Sequence, residues 1–241
     1  MSADSFKNAL WLWIKDFIEV GVTVAIILVV LRLALGSHTI VPLVVVTSGS
    51  MLHEDRGWFY WLTEHNLSGV DSFPFSSGFA RGDMIVTISP YAYSVFPETR
   101  LGDVVIYQRD YAKSHESGST EPIIHRIVGI INIRSDRVSG VEGTIDCYNA
   151  EDFGRYIEYV RNCRTHQGEC FYPQVPQSED YRFYITKGDN NLGTDQCGFG
   201  GGIALPVNEA QLTARGWIRL PYIGWIKLIF NAILKVLFFW V

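Results

Sequence analysis

Ser48-Gly49-Ser50-Met51 closes an apolar, β-branched run at 41–46. With Pro42 at one end and Gly49 at the other, that run predicts a buried strand ending in two hydroxyls at the rim of a core. A serine hydroxyl becomes a nucleophile only when a base takes its proton, and a neighbouring glycine lets a substrate backbone come close. The same four residues would serve equally well as an ordinary turn. Two later stretches supply what Ser50 lacks. His125 sits in the middle of Pro122-Ile-Ile-His-Arg-Ile-Val-Gly129, a second predicted strand. A lone histidine there can be a core residue, but imidazole titrates near neutrality and suits a general base. Asp189 and Asp195 lie in the polar turn that follows Tyr184-Ile-Thr-Lys187. Either carboxylate could accept from His125 and fix its tautomer, as the third member of a triad does. The turn reads alternatively as a solvated Asp-Asn bend or a calcium loop. Calcium would call for oxygen ligands at alternate positions and a late glutamate, whereas the chain continues into Gly198.

The elements that must position these groups are mostly strands. Arg81-Gly82-Asp83 and Leu101-Gly102-Asp103 each precede a β-branched run, so each reads as a turn entering a strand, with Asp83 and Asp103 as turn formers. Residues 58–80 are rich in aromatics, Gly, Ser and Pro without a sustained period and predict a long surface loop or lid. Residues 132–182 predict an insertion on the side of the main sheet. Gly216–Pro221 is a final turn and strand.

The two ends differ from this pattern. Residues 10–35 are overwhelmingly apolar, and 17–35 alone approach the ~20 residues needed to cross a bilayer. A cleaved secretory signal is the rival reading, with Ala34-Leu35-Gly36 as its cleavage site; Arg32 and the length of the apolar stretch argue for an anchor. Residues 222–241 are apolar except for Lys227, Asn231 and Lys235, spaced four apart as one polar stripe of a helix that spans or lies on the membrane. The hydrophobic content of 48% and a mean hydropathy of +0.12 reflect these ends. A net charge of −5 without a basic aromatic stripe gives no case for nucleic acid. Cys147, Cys163, Cys170 and Cys197 permit two disulfides in three pairings if this half is exported; His166 between two of them allows a zinc reading, but tight Cys-x-x-Cys pairs are missing. Asn66-Leu67-Ser68 is a glycosylation sequon, meaningful only outside the cytoplasm.

Together these stretches resemble the type I signal peptidases, in the archaeal and endoplasmic-reticulum branch. Ser48-Gly49-Ser50-Met51 is similar to that family's Ser-x-Ser-Met box, Arg81-Gly82-Asp83 and Gly102-Asp103-Val104-Val105 to its Gly-Asp strands, Ile124-His125-Arg126 to its base-bearing strand, and Gly188-Asp189-Asn190-Asn191 with Asp195 to its last box. The resemblance implies a mainly β catalytic domain, a signal-peptidase-like coiled sheet at 37–221 with insertions at 58–80 and 132–182. An N-terminal transmembrane anchor at 1–36 and a C-terminal membrane-associated helix at 222–241 would flank it. It further implies a Ser50 nucleophile, a His125 base, an orienting Asp195 with Asp189 in support, and an oxyanion site from the Ser50 N–H and Ser48 hydroxyl. Expected partners are preprotein signal peptides, the lipid bilayer and translocon or accessory subunits, with the catalytic domain on the extracytoplasmic face of the cell or endoplasmic-reticulum membrane. The resemblance calls for no metal or organic cofactor. Two other readings stay open: a non-catalytic, membrane-anchored β domain that binds exported proteins, and a Ser/Lys protease using Lys113 or Lys187.

Overall fold

A computed structural model describes residues 3–37, 41–92, 96–197 and 202–238, without side-chain detail for 3–10 and 237–238. The expected run into Gly198 and the last three residues of the expected C-terminal helix lie outside these. The chain begins with helix α1, Ala3–Leu35, of which Trp11–Leu35 is long and apolar enough to cross a membrane. The large apolar side chains along it, from Trp11 to Leu33, are exposed apart from the half-buried Leu28, so the domain supplies no core for them. Its end is tied to the sheet by the Ser89 N–H donating to the Leu35 carbonyl at 3.0 Å.

The rest is a curled antiparallel sheet. In chain order its strands are β1 (Leu43–Val45), β2 (Met84–Ile88), β3 (Val104–Tyr107), β4 (Ile123–Arg134), β5 (Arg137–Gly143), β6 (Tyr181–Lys187), β7 (Val207–Asn208) and β8 (Leu212–Leu220). They are arranged β1-β2-β8-β3-β4-β6-β7, with β5 added beside β4. The long β4 organises this sheet. Its first residues pair with β3, placing Val105 opposite His125, and its later ones pair with β5 and β6. The predicted turn formers do more than turn: Asp83 and Asp103 each accept from a backbone N–H three residues back and each pair with an arginine of β8, Arg219 and Arg215.

Two expectations change. Residues 58–80 are not a surface loop: helix α2 (Gly57–Glu64) and a short turn of helix at Val70–Ser72 bury Leu62, Leu67, Val70 and Phe73 in the main core. An eight-residue helix is too short to show its period, and its burial is decided by distant residues. The segment expected as an insertion on the side of the main sheet, 132–182, begins inside β4, so its first residues belong to the sheet itself. Between β5 and β6, helix α4 (Phe153–Thr165) covers one face with Phe153, Tyr156 and Val160. Burial of each such side chain contributes roughly 1.5–3 kcal/mol. A small helix, α3 (Tyr111–Ser117), begins at an Asp110 cap whose side chain accepts from the Lys113 N–H.

All four cysteines are paired, Cys147 with Cys197 and Cys163 with Cys170. The first bridge ties the turn after β6 to the chain between β5 and α4; the second closes the end of α4. At the C-terminus, α5 (Gly224–Phe238) starts against the Gly82-Asp83 turn and Val45 of β1. Its fifteen residues reach about 22 Å, less than the ~30 Å hydrocarbon layer, and Ile226, Ile229, Phe230 and Val236 are exposed. An α5 crossing of the membrane is therefore not shown.

Candidate active site

The pleat of β4 separates the two acidic partners. Successive side chains of a strand point to opposite faces, so His125 and Arg126 diverge, as do their neighbours Thr186 and Lys187 on β6. The turn at 188–197 supplies one carboxylate to each face. Asp189 follows Lys187 by two residues and meets Arg126 in a bidentate pair, Nε to Oδ1 at 2.8 Å and Nη2 to Oδ2 at 2.7 Å. Asp195 arrives on the other side because the turn doubles back: its own N–H donates to the Thr186 carbonyl at 2.8 Å. There its Oδ2 lies 2.6 Å from His125 Nδ1.

Ser50 completes the series. Its Oγ is 2.9 Å from His125 Nε2, within reach for proton transfer. Ser50 is half-buried, whereas His125 and Asp195 are only 4% and 2% exposed. A hydroxyl facing solvent, an imidazole behind it and a carboxylate at the back is the geometry in which serine can attack a carbonyl and histidine can carry the proton. Ser48 Oγ stands 3.2 Å from Ser50 Oγ, beside the place where negative charge would develop.

Two residues that the sequence did not single out hold Asp195. Tyr107 on β3 donates its hydroxyl to Oδ2 at 2.8 Å, and Thr186 on β6 donates at 2.7 Å. Burial, with Asp195 adding to it, pushes the Tyr107 phenol well above its usual range, so it remains a donor. A sequence signal existed: in the register of β3 with β4, Tyr107 stands two positions from Val105 and so shares His125's face. Gly188 is required by close approach, since a Cβ there would lie 2.8 Å from His125 Nε2 and 2.7 Å from Asn191 Nδ2.

The alternative bases are engaged elsewhere. Lys113 Nζ pairs with Glu116 at 2.9 Å, and Lys187 Nζ donates to the Gly188 and Asp189 carbonyls. Burial outweighs the pull of Asp189 and Asp195 and brings Lys187 down to about 8. Burial would raise the Asp189 carboxyl, but the Arg126 guanidinium and a hydrogen bond from His53 more than reverse it and hold the group below its ordinary value.

A groove of about 260 Å³ runs past Ser50, lined by Thr47, Ser48, Ile123, Ile124, His125 and Asn191. One wall is the 47–50 segment that follows β1 and the other is the start of β4, and among the described residues neither has a β partner on the groove side. β1 is paired only through β2, and β6 takes up β4 only from Arg126 onward, leaving Ile123–His125 open on that side. No protein-family model matches this chain, and no curated protein or solved structure matches it either.

Proposed function

We propose that this chain is a membrane-bound serine endopeptidase that removes N-terminal signal peptides from exported preproteins. The observation that carries this reading is the unbroken series Ser50 Oγ, His125 Nε2, His125 Nδ1 and Asp195 Oδ2, with steps of 2.9 and 2.6 Å across the ring. His125 takes the Ser50 proton as Oγ attacks the scissile carbonyl, then returns it to the leaving amine. Asp195 fixes the tautomer and stabilises the imidazolium between those events. The Ser48 hydroxyl and the Ser50 N–H receive the oxyanion.

The groove suits an extended peptide. With the Ile123–His125 edge open on one side and the 47–50 segment on the other, a substrate backbone adds as a strand and offers alternate side chains to the walls. A membrane-embedded substrate suits α1, which is long and apolar enough to hold the domain at a bilayer. α5 serves as a second attachment: its exposed apolar residues lie in the interface while Lys227 and Lys235 stay at its polar side. The domain then faces the extracytoplasmic side, where its two disulfides persist.

The test is cleavage of a preprotein by the full chain in detergent. Ser50→Ala should reduce cleavage to background while the protein still binds its substrate. Full activity in that variant would end the proposal.

A further inference from the structure

His53 lies three residues beyond Ser50 in a polar stretch, yet its side chain is only 6% exposed. Its ring stacks on Trp58 of α2, centroids 4.4 Å apart and planes within 11°. On the other side is Gly78, at φ +61°, where a Cβ would sit 2.7 Å from His53 Cγ. The ring thus occupies a slot formed by an indole and a glycine, and its two nitrogens meet specific partners. Nδ1 is 3.0 Å from the Ser76 carbonyl oxygen, and Nε2 is 2.7 Å from Asp189 Oδ2.

Both partners are acceptors without a proton to give, since Asp189 is held ionised by Arg126. A neutral imidazole has one N–H and would turn a lone pair toward one of them. The imidazolium satisfies both. Of the charged groups named around the ring, the Asp189 carboxylate favours that state, while the Arg126 and Lys187 cations oppose it. Asp189 contacts it directly and Arg126 reaches it through the same carboxylate oxygen; Lys187 donates to the Asp189 carbonyl on the far side. The indole that stacks on His53 also faces the Arg126 guanidinium at 5.5 Å, so one aromatic ring serves two cations.

We infer that His53 is a positioning residue for Ser50, acting as a doubly protonated clamp between the segment after the serine and the turn that carries both carboxylates. The inference rests on the reading of Ser50 as a nucleophile. The two segments are already joined by the Asn190 N–H to the Ser50 carbonyl at 2.8 Å and the Asp189 N–H to Met51 Sδ at 3.4 Å. His53 is the charged link in that seam. Loss of its proton sets a lone pair against an acceptor, opens the seam and moves Ser50 Oγ away from His125 Nε2. Activity at Ser50 therefore depends on a cation at position 53.

The test compares steady-state kinetics of preprotein cleavage by the full chain in detergent for wild type and His53→Gln, with His53→Lys as the variant that keeps a cation. His53→Gln should lower kcat about tenfold at neutral pH with KM within twofold. His53→Lys should recover much of that kcat. Equal kcat for wild type and His53→Gln would overturn the inference. Should either variant fold poorly, the ¹⁵N imidazole resonances of His53 in the wild type decide: both ring nitrogens protonated at neutral pH support the clamp, and a neutral tautomer refutes it. Absence of cleavage by the wild type at every pH would instead refute the peptidase reading, while the resonances still report on the clamp.

Discussion

Tyr107 and Asp195, 88 positions apart, are joined by a 2.8 Å hydrogen bond in which a wholly buried phenol donates to the carboxylate oxygen that also receives His125. The contact stiffens the orienting group from the β3 side, while Thr186 holds it from β6. Hydrogen bonds to charged groups contribute ~1.5–3 kcal/mol, so Tyr107→Phe should lower kcat about tenfold or more. KM should stay unchanged, because Tyr107 does not line the groove. Steady-state kinetics on a preprotein check both halves of that statement.

The two carboxylates of the turn should separate by what their loss disturbs. Asp195→Asn can keep an oxygen where Tyr107, Thr186 and His125 Nδ1 all converge but removes the negative charge that stabilises the imidazolium, so the fold should persist while kcat drops by up to about 10⁴-fold. Asp189→Asn strands the buried Arg126 guanidinium without its counter-charge. Breaking one side of a buried pair costs about 3–5 kcal/mol, so this variant should show a clearly lower melting temperature. Melting curves of equal depression for the two variants would contradict the division of roles.

The disulfides should likewise be unequal. Cys147–Cys197 closes a separation of 50 residues and anchors the turn that delivers Asp195; Cys163–Cys170 closes only 7 at the end of α4. Loop-closure entropy assigns about 4 kcal/mol to the first and ~2.4 kcal/mol to the second. Replacing Cys147 and Cys197 by Ser should therefore lower both denaturation midpoint and kcat. The same change at Cys163 and Cys170 should lower the midpoint less and leave kcat alone.

Much of this site was legible because each reactive group belongs to a short local pattern: hydroxyls after a β-branched run, an imidazole within a strand, carboxylates in a Gly-Asp-Asn turn. The pleat even requires His125 and Arg126 to seek different partners. Which carboxylate each would find was not readable, since it depends on the path of the turn, set by the Asp195-to-Thr186 hydrogen bond and a disulfide to a distant segment. His53 escaped notice for a related reason. It lies among Glu54, Asp55 and Arg56, which are exposed, and only tertiary contacts with Trp58, Ser76 and Asp189 bury its ring. The strand at 122–129 also proved longer than its glycine suggested. Between Ile127 and Gly129 the ladder with β6 shifts register and then continues to Ile133 instead of ending, and the strand itself runs to Arg134.

Lys187 yields a prediction with a definite sign. The side chain is 2% exposed, donates to two backbone carbonyls and faces the Trp61 ring at 4.8 Å, with no carboxylate oxygen in contact among the described residues. Burial, with Arg126 adding to it, lowers the ammonium from 10.5 to about 8 in the folded protein. Between those values the unfolded chain binds more protons than the folded one, so this group makes stability rise with pH across that window. The buried tyrosines act oppositely above roughly pH 10, where the unfolded chain ionises them and the folded protein does not. The clean interval is therefore pH 8 to 10. Lys187→Met, which keeps the stem without the charge, should be more stable than wild type at pH 7. Its advantage should shrink by roughly 2 kcal/mol between pH 8 and pH 10 as the wild-type lysine sheds its proton. Denaturant titrations at unit pH steps measure the difference directly, and a constant offset between the two proteins would show that the buried ammonium is not the titrating group.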